Sequence, residues 1–145
     1  MRRLLSLLPK PLRPKREIHI HTLGSRGESI AAKYLKKQKY KILARNLHLP
    51  QGEIDIVALT PDRATITFVE VKTSASSYAH HTPPELHVNY KKQQKLIALA
   101  ASAVKYYHYH NAAIRIDVIA VILEDNAPPI IRHHQGAIQA THAYI

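Results

Sequence analysis

The stretch GEIDIVALTPDRATITFVEVK, residues 52–72, decides how this chain is read. Gly52-Glu53-Ile54-Asp55-Ile56-Val57 and Phe68-Val69-Glu70-Val71-Lys72 each alternate charged and aliphatic side chains. In a strand, residues i and i+2 point to the same face, so Glu53 shares a face with Asp55 and Glu70 with Lys72. Between the runs, Thr60-Pro61-Asp62-Arg63 has Pro and Asp where a tight turn uses them. An antiparallel hairpin about that turn pairs residues whose numbers sum to about 125. It sets Asp55 beside Glu70 and Lys72 near Glu53. Two carboxylates at a cross-strand distance of about 5 Å repel each other. A hard divalent cation, held by carboxylates and water, relieves that repulsion. An exposed sheet face with an ordinary Glu–Lys pair accounts for one charged pair alone. The convergence of both strands on one point sets the metal reading level with it.

The composition narrows the setting. At 145 residues the chain suits one domain with a core of its own. The absence of cysteine excludes disulfides and thiolate metal sites and suits a reducing compartment. Lys and Arg number 21 against 10 Asp and Glu, a formal charge of +11 that favours a polyanionic partner. Nucleic acid leads, with an anionic membrane surface second. No apolar run approaches the roughly 20 residues of a membrane-spanning helix, so no integral membrane segment is expected. The Leu-rich start is too short for a signal peptide and runs into Pro9, Lys10 and Pro11, so a cytoplasmic location is expected.

In chain order, residues 1–23 form a basic, Pro-punctuated arm and residues 24–145 the folded domain. His19 and His21 lack a third ligand at zinc spacing. A helix is expected from about residue 25 to 38, with Ser25 and Glu28 at the spacing of a capping box. Glu28 then lies in the first turn at the margin of the buried face, where the helix dipole favours a carboxylate. Residues 39–46 read as a first strand, the hairpin follows, and residues 73–84 read as a loop. Asn89 is placed to cap a second helix to about residue 107, whose first turns hold Lys91, Lys92 and Lys95. Such a cluster is a solvated face or, equally, a phosphate contact. Residues 114–122 form a β-branched central strand, with Asp117 expected to pair with a Lys or Arg. A short strand at 130–133 ends the pattern. There is no Gly-rich phosphate loop, Ser-His-Asp signature or zinc-protease motif.

This order, with Asp55 on one strand and Glu70-x-Lys72 on the next, resembles the restriction-endonuclease-like PD-(D/E)XK nuclease superfamily, and within it the small YraN-like family. Gly27-Glu28, Gly52-Glu53-Ile54-Asp55-Ile56-Val57, Phe68-Val69-Glu70-Val71-Lys72, Lys92-Gln93 and Arg115-Ile116-Asp117-Val118 carry the likeness. It implies an α/β fold with an αβββαβ core, a central mixed sheet flanked by helices. It also implies hydrolysis of DNA phosphodiester bonds, on branched or structured DNA, with Mg²⁺ or Mn²⁺. On the matching positions, Asp55, Glu70 and the Val71 carbonyl would ligate the metal. Lys72 would orient or deprotonate the attacking water. Glu28 matches a helical Glu that some relatives add to the site. Lys91, Lys92 and Lys95 would meet nucleic acid, and a homodimer is compatible with cutting both strands.

Pro61-Asp62 with Glu70-Val71-Lys72 spells the superfamily motif, but it is a decoy. Eight residues of strand put Asp62 roughly 26 Å from Glu70, too far for one metal to bridge. The fold also hosts inactive binders. A non-catalytic nucleic-acid-binding protein that kept the fold therefore stands as the alternative.

Overall fold

Thr22 starts the first helix: in extended backbone, its side-chain oxygen accepts the Ser25 N–H at 3.1 Å. The computed structural model, which describes residues 22–76, 83–109 and 112–139, runs on from this cap. Its elements are α1 (Leu23–Lys37), β1 (Lys41–Leu49), β2 (Gly52–Leu59), β3 (Thr65–Ala75) and a 3₁₀ turn (Pro84–His87), then α2 (Tyr90–Tyr106), β4 (Ala113–Leu123) and β5 (Ile130–Ile138). This is the expected αβββαβ order followed by the expected last strand, which runs to Ile138 instead of ending at residue 133. The arm assigned to residues 1–23 lies outside the described residues, His19 and His21 included, except that residue 22 is the cap and residue 23 opens α1. The cap stands one turn earlier than the Ser25 expected from sequence. Ser25 is the capped donor, and Glu28 falls beyond the first turn, where the dipole account of it no longer applies.

The five strands lie in sequence order, β1-β2-β3-β4-β5. Pairing is antiparallel except between β3 and β4, which run parallel. A parallel pair needs a crossover, and α2 lies in that connection. The hairpin takes the register its turn dictates, from Leu59 opposite Ile66 to Ile56 opposite Val69. In the turn, Asp62 Oδ1 accepts from Thr60 Oγ1 at 2.6 Å and from the Ala64 N–H at 3.0 Å. Asp62 is a turn builder. The loop expected at residue 73 begins later. Thr73, Ser74 and Ala75 continue β3 because Val121, Ile122 and Leu123 offer them a parallel partner.

The sheet is covered on both faces. Ala31, Ala32 and Leu35 of α1 pack on Ile56, Ala58, Val69, Val71, Ile119 and Val121. On the other face Leu96, Leu99, Ala100, Ala103 and Val104 of α2 pack on Val57, Leu59, Phe68, Ile116 and Val118. Burial of both faces explains why β4 reads as nearly continuous aliphatic sequence. Gly27 brings the start of α1 against β3, since a Cβ there would overlap the Thr73 side chain. Among the described residues no helix is long and apolar enough to cross a membrane.

Candidate active site at the fork of strands β2 and β3

The hairpin ladder stops at Ile56 and Val69. One step further, a side chain replaces the backbone: Asp55 Oδ2 accepts the Val71 N–H at 2.7 Å. A strand residue directs its N–H and C=O to the same neighbour. The Val71 carbonyl is therefore aimed at the edge where Asp55 lies. Asn46 of β1 stands opposite Asp55, between the pairs Arg45–Ile56 and Leu47–Ile54. Its φ of 49° is a left-handed conformation that Asn tolerates better than most residues. Face alternation slips here too: Ile54 joins Val57 in the α2 layer, while Ile56 lies in the α1 layer.

Glu28 reaches this fork from α1, and its Oε2 accepts from Asn46 Nδ2 at 2.9 Å. Glu70 lies on the side of α2 and is 4% exposed. Its Oε1 receives two ammonium groups, Lys72 Nζ at 3.0 Å and Lys92 Nζ at 3.1 Å. Burial pushes the Asp55 carboxyl up to about 7, helped by the Glu70 and Glu28 charges and opposed by the Val71 N–H and Lys92. An acidic group held partly protonated near neutrality, with carboxylates on two sides, marks excess negative charge.

Some of the groups singled out from the sequence lie together and others do not. Asp55, Glu70, Lys72 and Glu28 gather at one fork. Lys72 does not approach Glu53 but turns to Glu70, one alternation away on its own strand and face. Glu53 instead pairs with His48 Nδ1 at 3.5 Å across β1–β2. The lysine cluster at the start of α2 splits. Lys92 is drawn in to Glu70, whereas Lys91 and Lys95 stay exposed. Lys95 crosses the backbone at Gly52, where a Cβ would come within 2.9 Å of its Cε. Sequence alone missed Asn46 and the inward turn of Lys92. The crossover signal, a helix that must pass over β3 to reach a parallel β4, could have suggested the second.

Among the described residues no group of three or more His, Asp or Glu side chains is arranged to hold a metal ion. Any cation at the fork would have to draw on Asp55, Glu70 and the Val71 carbonyl, with water or phosphate oxygens completing its shell. That is the few-carboxylate pattern of Mg²⁺ rather than an all-protein cage.

A separate polar cluster lies elsewhere on the α1 face. Asp117 is fully buried and takes Arg115 Nε on Oδ1 at 2.8 Å and Arg115 Nη2 on Oδ2 at 2.9 Å. His133 Nε2 lies 2.8 Å from Oδ2, and the Gly136 N–H donates to Oδ1 at 2.9 Å. Burial raises the Asp117 pKa, but the hydrogen bonds from His133, Arg115 and Gly136 outweigh it and hold the carboxyl at about 2. Glu85 ties the 3₁₀ turn to β5 through Arg132, with Nε–Oε1 at 2.6 Å and Nη2–Oε2 at 3.0 Å.

Residues 27–121 match a family described as "Uncharacterised protein family UPF0102". A UPF0102 protein of Pelobacter propionicus is 42% identical over 80% of this chain and 81% of its own length. One from Geobacter metallireducens is 42% identical over 78% and 89%. One from Geotalea uraniireducens is 38% identical over 81% and 90%.

Proposed function

The chain belongs to the UPF0102 family, and we propose that it is a metal-dependent nuclease that hydrolyses DNA phosphodiester bonds at the β2–β3 fork. The observation that carries this reading is the Asp55 carboxylate at the end of the ladder. It is bonded to the Val71 N–H and lifted to about 7 by burial and by Glu70 and Glu28. Asp55, Glu70 and Glu28 face Lys72 and Lys92, which leaves the fork short of positive charge. Asp55, Glu70 and the Val71 carbonyl would hold Mg²⁺ or Mn²⁺. Bound there, the cation would lower the pKa of its water and neutralise charge on the phosphate.

The chain's own residues do the rest. Lys72, whose Nζ pairs with Glu70, would orient the attacking water and offset charge developing on the phosphoryl oxygens. Glu28, fixed through Asn46, flanks Asp55 and strengthens the demand for a cation. Lys91 and Lys95 supply exposed positive charge on the approach along α2. A homodimer of such chains would present two forks to a duplex or junction.

One observation favours a second reading, that of a non-catalytic nucleic-acid binder. Lys72 and Lys92 already share Glu70 Oε1, so a cation must displace at least part of that pairing. Cleavage of single-stranded, duplex and junction DNA with Mg²⁺ or Mn²⁺ separates the two. The nuclease reading predicts cutting that is lost with chelator, with Asp55→Asn and with Lys72→Ala. Intact substrates across the whole panel at high enzyme concentration, with binding unchanged by chelator, would establish the binder instead.

A further inference from the structure

The α1 face carries a concave site apart from the fork. Thr67, in register with Arg115, lies four residues before Val71 on β3, roughly 13 Å along the strand. There a cleft of about 400 Å³ opens between the end of α1, the hairpin turn and β4–β5. Its size falls in the range of small-ligand sites. Tyr34 and Tyr40 line it, and both rings pack on His133, with centroids 5.6 and 6.0 Å away. Arg115 also lines it and is held rigid, with Nε and Nη2 on Asp117 and Nη2 donating to the Tyr40 hydroxyl at 2.9 Å. Its Nη1 has no hydrogen-bond partner among the described residues. Gln38 and Gln135 add exposed amides, and the Asp62 carboxylate stands at the rim.

The charge pattern selects the ligand. Asp117 neutralises Arg115, and Asp62 adds a negative charge, so a bare phosphate or other anion is a poor match. Amides, one guanidinium nitrogen and one carboxylate offer donors and acceptors side by side, next to aromatic surface. A nucleobase edge has that mixed pattern, and its flat face suits tyrosine. We propose that this cleft binds a single unstacked nucleobase. Tyr34, the more exposed of the two rings, supplies the stacking surface with Tyr40 backing Arg115 from the core, and Arg115, Gln135, Gln38 and Asp62 read the edge. Two sources share this chemistry: a free nucleotide, or an unpaired base in a strand whose backbone continues to the β2–β3 fork. The strand source rests on the function proposed above, and it would make the preferred substrate one with unpaired nucleotides beside the cut.

The test uses the full chain with chelator present, so that it reads base recognition and not cleavage. Fluorescence anisotropy follows a labelled single-stranded hexanucleotide and its fully abasic analogue. The hexanucleotide is expected to bind about tenfold tighter than the abasic strand. Tyr34→Ala and, separately, the exposed-site variant Gln135→Ala are expected to remove most of that difference while leaving abasic binding unchanged. Displacement by a nucleoside monophosphate would identify free nucleotide as a ligand. Failure to displace, with the tenfold difference intact, would identify the strand. Equal binding of hexanucleotide and abasic strand would overturn the proposal, as would equal weakening of both by the variants. A base-recognition result without cleavage in the earlier assay would leave this site standing and remove the nuclease.

Discussion

Asp55 is the residue in which folding and the proposed function oppose each other. Its carboxyl is raised to about 7, so the folded state binds a proton that the unfolded chain releases near pH 4. Stability therefore declines as pH rises from about 4 towards 7. Asp55→Asn keeps an acceptor for the Val71 N–H and removes the charge. At pH 8 in chelator it is expected to be more stable than the wild type by roughly 1–3 kcal/mol, a gap that closes near pH 4. Urea unfolding at both pH values checks this. Asp117 behaves in the opposite sense. Its carboxyl is held at about 2, so its contribution is complete above about pH 4 and fades as pH falls through 2. Asp117→Ala removes the buried acceptor shared by Arg115, His133 and the Gly136 N–H and is expected to cost about 1–3 kcal/mol, read from the same unfolding curves. The sequence showed both carboxylates as charges inside aliphatic strands, which is why each stood out. It could not show which would be satisfied. Arg115 is two residues from Asp117 and visible, but His133 and Gly136 come from β5, and only the tertiary fold brings them in.

At the scale of elements, the hairpin was the most legible part because its turn chemistry and its period-2 pattern agree on one register. The ends of elements were the least legible. Thr22 and Ser25 are both good caps in isolation, and packing of α1 against β3 selects the earlier one. Thr22→Ala is expected to lower stability by about 1 kcal/mol, and Ser25→Ala by less, measured by thermal or urea unfolding. The close approach of α1 and β3 rests on Gly27. Gly27→Ala puts a Cβ into the Thr73 side chain and is expected to cost at least about 1–3 kcal/mol. It should also loosen Glu28 from the fork. The extension of β3 past Lys72 had no local signal, since Thr73, Ser74 and Ala75 are as much loop residues as strand residues. The parallel partner β4 decides them.

For the whole molecule, a chain charge of +11 around an acidic fork implies long-range attraction of a polyanion towards a site that repels it. A cation at the fork resolves that conflict, and so does a binder that never brings phosphate there. Lys91 and Lys95 are exposed and lie on the proposed approach, whereas Lys92 is turned to Glu70. Replacing Lys91 and Lys95 together by Ala is expected to reduce the slope of log affinity against log salt for duplex DNA by about 2. Lys92→Ala should change the slope little and raise the fork's affinity for a divalent cation, because Glu70 loses a competing ammonium. Salt titrations and cation titrations of the two variants separate these effects.

The most direct measurement of the central claim is anomalous diffraction from a crystal of the protein soaked in Mn²⁺. The account predicts one peak at the β2–β3 fork, about 2.1 Å from oxygens of Asp55, Glu70 and the Val71 carbonyl, with at least one lysine moved off Glu70. A fork without manganese, with Lys72 and Lys92 both still closed on Glu70, would contradict it.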